Sequence, residues 1–475
     1  MTRIEPKAPA EVGGADSAEG SETSATVPRP WHPLRRFLFR LSIPYALLYL
    51  VATPYFHLPV IGNTLATWVA PFWDHFLIFW SRTLFDIAPE GTNLKFRGVG
   101  DVKSHLYLIF GMAMTSLVVA VLWSVVDRRR LSYDRAARWA APVVSFLVGS
   151  VVIYYGTLKI YDVQFGYPLL DRLLMSYGES RGLDLVWIFM GTSTPYTWIA
   201  GFAEIAGGFL LLFRRTRTLG ALLLIGVLSH VMMLNFCFAL PVKFFSLQLL
   251  IMSALLLLPD AERLVRFAIG RPIPAVEHAP LVSNPRLGKG LAVLPVLLGV
   301  ALVYLHLDAA RETEKQYWVE EQPIFGIFDV ESFTVNGVDR PPLLTDEQRW
   351  RLILFDRVDW VMLRRMDGTV EDYGREIDLG AGTMALIARD GRRLEWTLEQ
   401  PTDDTLILEG PLNFPEEAQE DRLEEAQGEA QEGQENTVAP ADEEILRVVA
   451  KRRDLDSFSL TTRRFRWIIE SPFDR

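Results

Sequence analysis

A single cysteine, Cys237, stands among 475 residues. It excludes an intrachain disulfide framework and any four-cysteine metal or iron–sulfur site within one chain. Histidine is scarce as well, at seven, and only His230 falls well inside a hydrophobic run, with His105 and His306 near the ends of others. A bis-histidine haem needs two facing histidines at similar depth, which this distribution does not offer. No phosphate-binding glycine loop, metalloprotease helix or nucleophile elbow occurs. Positive charge is in deficit, with 48 Lys and Arg against 58 Asp and Glu. The excess of acid lies largely toward the C-terminus and argues against nucleic acid as a partner. Residues 1–30 are rich in Ala, Glu, Ser, Gly and Pro and have little to bury. They lack a positive start followed by an apolar stretch, so they are expected to be a disordered cytoplasmic tail and not a cleaved signal peptide.

Long hydrophobic runs are what the chain has instead. Apolar residues make up 50% of it, and its mean hydropathy of +0.17 is held down by a polar C-terminal third. A transmembrane helix needs about 20 mostly apolar residues. About seven candidates occur, at 37–53, 105–126, 139–158, 196–213, 218–234, 244–258 and 291–306. Arg35, Arg36 and Arg40 precede the first, and Arg128, Arg129, Arg130, Arg135 and Arg138 separate the second and third. Arg214, Arg215 and Arg217 separate the fourth and fifth, and Arg263, Arg266, Arg271, Arg286 and Lys289 the sixth and seventh. With seven spans and a cytoplasmic N-terminus, every cluster falls on the cytoplasmic side, as the positive-inside rule requires. Everything after about residue 307 is then extracytoplasmic. The segment 64–87, with Trp68, Phe72, Trp73, Phe76, Phe79 and Trp80 around Asp74 and His75, reads as a helix lying on the outer surface, since crowded aromatics suit the interface.

From Phe325 the pattern changes to short strand-like runs. Asn336-Gly337, Asp367-Gly368 and Asp390-Gly391 supply hairpin turn signals. Runs at Arg349–Phe355, Trp360–Arg365, Thr383–Arg389, Leu394–Glu399, Thr405–Glu409, Ile445–Lys451, Ser457–Leu460 and Phe465–Ile469 predict about eight antiparallel strands in a small barrel or sandwich. Trp318, Trp350, Trp360, Trp396 and Trp467 are expected in its core, because alternation along strands turns such residues inward. The acidic run Glu416–Glu435 reads as a solvated spacer within a disordered insertion at 416–444. The fold class is thus a polytopic α-helical membrane protein with a C-terminal antiparallel β-barrel or β-sandwich. Its divisions are 1–30, 31–138, 139–260, 261–306 and 307–475.

Two constellations carry candidate chemistry. The fourth run places Gly201, Glu204 and Gly208 on one helical face. A carboxylate there costs roughly 2.5 to 3.5 kcal/mol on insertion scales, so it needs a partner inside the bundle. Lys159, Tyr155 and His230 are the candidates, and together they suit a proton-handling or quinone-headgroup site. The alternative is that Glu204 is a packing residue and Lys159 simply snorkels. The other constellation is the turn from Asn235 through Pro241 and Lys243 to Ser246, whose polar backbone at that depth belongs beside protein or water. It either lines an outward pocket or makes a tight helix-to-helix turn. Glu204 and His230 are therefore the expected catalytic residues, and Tyr155, Lys159, Asn235 and Lys243 the expected cofactor-binding ones. No metal ligand set is expected.

Gly156 and Lys159, Pro195 and Trp198, Glu204 with Gly207-Gly208, and Arg215 with Arg217 form a pattern that continues through His230, Asn235, Pro241-Val242-Lys243 and Ser246 to Pro259-Asp260. Over about residues 139–260 it resembles the DoxX family of four-helix membrane proteins. The C-terminal part, ending Arg464 to Arg475, looks like the extra domain of larger bacterial members. The resemblance implies a bacterial cytoplasmic-membrane protein in lipid, associated with quinones and with redox or respiratory-chain proteins. Members often carry an acidic residue where Ala239 stands and a histidine where Gln248 stands. The same spans look somewhat like vitamin K-dependent carboxylase-like proteins, which act on a reduced quinone. A non-enzymatic scaffold whose outer domain binds a partner or lipid is the other reading.

Overall fold

The computed structural model describes residues 30–52, 62–86, 100–166, 168–273, 285–317, 324–356, 360–412, 444–458 and 460. Helices fill the part before the strands: α1 (Pro33–Ala52), α2 (Gly62–Phe85), α3 (Lys103–Val126), α4 (Asp134–Ile160), α5 (Leu170–Leu174), α6 (Gly182–Gly191), α7 (Thr194–Leu211), α8 (Arg217–Cys237), α9 (Lys243–Leu257), α10 (Ala261–Ala268) and α11 (Pro285–Tyr317). Five stretches are long and apolar enough to cross a membrane: α3, α4, α8, Lys243–Ala268 and Val293–Gln316. Helices also stand at the other two expected runs, as α1 and α7. By length and composition, however, five and not seven qualify among the described residues. In α1 the reason is visible, for it carries Arg35, Arg36 and Arg40.

Small residues set the packing. Gly149 and Gly156 on α4 face Gly208 and Gly201 on α7, and a Cβ on Gly156 would stand 2.7 Å from the Gly201 carbonyl oxygen. Such close approach is how apolar helices associate where lipid removes the hydrophobic driving force. At the arginine-rich end, Gly220 pins α8 to α7, since a Cβ there would lie 2.8 Å from the Gly207 oxygen. Arg40, 6% exposed, is satisfied at the same end. Its Nε donates to the Tyr133 hydroxyl at 2.9 Å, Nη1 to Ser124 Oγ at 2.8 Å and Nη2 to the Asp127 carbonyl at 2.8 Å. At the other end Asp101 accepts from the backbone N–H groups of Lys243 and Phe244, which no turn of α9 can satisfy.

The aromatic segment expected on the outer surface is helix α2, and it is built into the bundle. Trp73 and Leu77 are buried in one core with Tyr49, Leu108 and Met112, and Gly111 of α3 leaves the space that the Trp80 ring fills. Phe85 meets Tyr107 at 4.7 Å between centroids. Only part of the aromatic surface, including Trp68, Phe72 and Phe79, stays exposed.

Nine antiparallel strands follow among the described residues: β1 (Gly326–Val335), β2 (Val338–Asp339), β3 (Trp350–Phe355), β4 (Trp360–Arg365), β5 (Val370–Asp378), β6 (Thr383–Ile387), β7 (Arg393–Thr402), β8 (Thr405–Pro411) and β9 (Ile445–Arg452). Each pairs with the next, except that β2 is a short flap on β1, and β9 returns to β1. The result is a closed eight-stranded barrel, so the barrel alternative holds and the sheet has no long free edge. Asn336 and Gly337 both take positive φ, 52° and 78°, at the β1–β2 turn. Phe328, Phe333 and Phe355 fill the interior, with Trp350 and Trp396 at 4.9 Å between centroids.

Some expectations are corrected. Trp360 is 46% exposed and not in the core, because in β4 the inward positions belong to Val361 and Leu363. No strand occurs among the described residues of Ser457–Leu460; a helical turn runs over Leu455–Ser457, with Asp454 accepting from the Asp456 N–H. Strands β1 and β5 are two that the run pattern did not single out. Trp318, Trp467, Phe465–Ile469 and the acidic run Glu416–Glu435 lie outside the described residues, as does the N-terminal tail to residue 29.

Candidate functional site

Beyond the pin at Gly207 and Gly220, α7 and α8 stop touching closely and line a cavity of ≈ 610 Å³. α4, the start of α9, and α6 with the chain before it complete the walls. Val152, Phe165, Met190, Val231, Phe245 and Leu249 make them largely apolar. That size and lining suit a small organic ligand, not water.

One ion pair interrupts the apolar wall. Lys159 Nζ donates to Glu204 Oε2 at 2.7 Å and to the Tyr155 carbonyl at 3.5 Å. The two side chains are 7% and 4% exposed. Local sequence explains the meeting. Lys159 lies in the last turn of α4, where the helix dipole favours a cation. Gly201, one turn before Glu204, leaves room for the lysine stem, for a Cβ there would come within 3.2 Å of Lys159 Cβ. The ammonium has three N–H donors, and two of them are used among the described residues. Neither group is a snorkelling or solvated charge, and removing either partner would strand the other in a low-dielectric wall.

Five of the six expected site residues converge on this cavity: Tyr155, Lys159, Glu204, His230 and Asn235 all line it. Of the three partners expected for Glu204, Lys159 is the one that pairs with it, while His230 is exposed at the cavity's lip. Asn235 is committed to the turn, with Nδ2 donating to Ser246 Oγ at 2.9 Å and to the Val242 carbonyl at 3.4 Å. The sixth, Lys243, does not line the cavity. Its Nζ pairs with Asp101 at 3.1 Å and donates to the Leu240 carbonyl at 2.9 Å, so it closes a turn instead of holding a ligand. Both readings of 235–246 apply: Lys243 only closes the turn, while Asn235 and Ser246 hold the turn and, with Pro241, also line the pocket.

Sequence reasoning missed the wall contributed between α4 and α7, namely Gln164, Phe165, Val186, Trp187 and Met190. A signal was present in Leu183–Met190, an apolar run with one aspartate inside what reads as an outer loop. Phe165 and Trp187 meet edge to face at 5.1 Å, and Lys159 Nζ lies 5.9 Å from the Phe165 ring. Gln164 Oε1 is buried without a hydrogen-bond partner among the described residues.

The cavity opens sideways between α7 and α8. Tyr196 and Ile199 on α7 are 39% and 71% exposed while lining it, and on α8 Gly226 and His230 are exposed. A Cβ on Gly226 would meet nothing within 4 Å. No group of three or more metal-binding side chains occurs among the described residues. The donor set thus suits an amphiphile with oxygen acceptors at one end: a lysine N–H and a carboxylate at the polar wall, aromatic rings beside them, and an apolar exit.

A stretch of 119 residues is 30% identical to the protein named "Uncharacterized protein YwoB" of Bacillus subtilis (strain 168), spanning 25% of this chain and 75% of that protein. No protein-family model matches the chain, and no solved structure matches it.

Proposed function

We propose that this chain, which belongs to the family of YwoB, is a DoxX-like integral protein of the bacterial cytoplasmic membrane that binds a quinone as part of a membrane redox system. The observation that carries the reading is the buried Lys159–Glu204 pair on the wall of a largely apolar cavity that opens sideways between two apolar helices. A quinone combines a flat ring bearing two oxygens with a long apolar tail. The free N–H of Lys159 donates to a ring carbonyl, the Glu204 carboxylate accepts from the reduced form's hydroxyl, and Phe165 and Trp187 offer faces to the ring. The tail leaves past Ile199 and Gly226 into the bilayer. When bound, the quinone supplies electron-transfer chemistry; the chain's own residues orient the ring, exclude water and hold a proton at Glu204.

In this reading α1 and α7 also cross the membrane, giving seven spans. The arginine-rich ends face the cytoplasm with the N-terminus, and the barrel stands outside. Contacts at both ends support such alternation: Arg36 reaches the Arg130 carbonyl and Thr218 the Asp260 carboxylate at one end, while Asp101 meets Lys243 at the other. Mass spectrometry of small molecules retained by the detergent-purified chain tests the proposal. A quinone in roughly stoichiometric amount is expected. Retention of a haem, or of phospholipid alone, would overturn it.

A further inference from the structure

The segment joining α4 to α7 touches both parts of the molecule. Its short helix α5 sits on the outside of the barrel. Ile327, Leu352 and Leu354 alternate with the inward Phe328, Ile353 and Phe355, so they face outward. Leu170, 1% exposed, covers them. The Leu170 N–H donates to the buried Asp356 carboxylate at 2.6 Å, and Arg364 Nη1 donates to the Leu174 carbonyl at 3.4 Å.

The same segment then builds the cavity wall. Arg172, within α5, donates from Nη1 to Asp184 Oδ1 at 2.5 Å. Asp184 is 2% exposed and also accepts from the Arg181 backbone N–H and guanidinium at 3.0–3.2 Å. It stands in the first turn of α6, where a carboxylate is favoured, and the next two turns carry Val186, Trp187 and Met190 into the cavity lining. The two ends of the segment close on each other, for a Cβ on Gly191 would lie 2.2 Å from the Gly166 oxygen.

We infer that Asp356 of the barrel is a positioning residue for the membrane cavity, acting through Leu170, Arg172 and Asp184 to hold α6 as its outer wall. The part concerning ligand affinity rests on the quinone reading; the part concerning α6 does not. The barrel is then a component of the membrane site, and whatever engages its β3 end changes the cavity. By linkage, a ligand in the cavity stabilises the docked barrel to the same extent.

Hydrogen exchange followed by mass spectrometry on the full purified chain tests this, with the variants Asp356→Ala, Arg172→Ala and, as a control on the far hairpin, Arg389→Ala. Peptides covering α6 are expected to exchange at least about tenfold faster in the first two and unchanged in the third, while α4 and α8 peptides keep their protection. Affinity for a short-tailed ubiquinone analogue is expected to weaken about fivefold or more in the same two variants. If Asp356→Ala also loosens the whole barrel, Arg172→Ala, whose side chain lies outside the barrel, decides. Unchanged α6 exchange in Arg172→Ala overturns the inference. Wild-type protein that binds no analogue, with α6 still responding, overturns the quinone reading and leaves the coupling standing.

Discussion

At the residue scale, the proposed function rests on one buried pair. A buried ion pair is weak evidence of stability, because desolvation offsets most of the Coulomb attraction. Losing one partner is a different matter. Lys159→Met is expected to cost about 3–5 kcal/mol by leaving the Glu204 carboxylate alone in an apolar wall, whereas Lys159→Met with Glu204→Leu should recover most of that loss. Equilibrium unfolding of the two variants in denaturing detergent checks this, and equal destabilisation in both would show that the pair is not isolated as described. Gly226 supplies the complementary case. Its missing side chain faces open space at the mouth, so Gly226→Phe is expected to change stability by less than about 0.5 kcal/mol while obstructing entry, read as normal unfolding with slowed ligand uptake.

At the element scale, α4 and α7 are held together by glycine and α6 by charge. Gly201→Leu puts a side chain where the Gly156 oxygen lies 2.6 Å from a Cβ, and overpacking of this kind costs about 1–3 kcal/mol. It should also part Lys159 from Glu204, so both melting temperature and ligand affinity should fall. Asp184 adds a pH dependence. Hydrogen bonding from Arg181 is the largest influence on it and holds its carboxyl below the ordinary range. A carboxyl lowered in the folded state stabilises fully above its unfolded value, about 3.9, and that contribution disappears as pH falls through the folded value. Protection of α6 should therefore be level from neutral pH to about 5 and decline below about 4, as exchange across that range would show.

Legibility in the sequence follows the same division. Hydrophobic runs placed a helix at each of seven positions, since apolar length is a local property. The 18-residue α7, holding Glu204, was expected on the same footing as the others yet falls outside the stretches that qualify by length and composition. The pairs Asn336-Gly337, Asp367-Gly368 and Asp390-Gly391 located three hairpins because the positive φ taken by Gly337, Gly368 and Gly391 favours glycine. Strand β5, Val370–Asp378, was missed because Glu371, Asp372, Arg375 and Glu376 hide its pattern, and these charges are satisfied by neighbours such as Arg365 and Arg393. That Lys159 and Glu204 would meet was legible, as a charge within an apolar run must find a partner, and five of the six residues singled out line one cavity. Lys243 misled because its real partner, Asp101, lies 142 positions away. In the wall from Gln164 to Met190 the apolar run Leu183–Met190 was legible but its place was not, because contacts of α5 with the barrel and of Arg172 with Asp184 position it.

At the scale of the whole molecule, the arginine-rich helix ends gather on one face and the barrel stands with α5 on the other. If the arginines face the cytoplasm, alkaline phosphatase fused after Arg475 should be active and a fluorescent protein fused there dark; the reverse would invert the molecule. The barrel's interior is filled by Phe328, Phe333, Phe355, Trp350 and Trp396, and the proposed ligand site lies in the cavity of the helical bundle. The most direct test is a binding titration of a short-tailed ubiquinone analogue into purified wild-type protein and the Glu204→Gln variant. Saturable binding to the wild type, weakened about tenfold or more in the variant, is expected. No saturable binding, or equal binding by a folded Glu204→Gln, would contradict the assignment of the cavity as a quinone site.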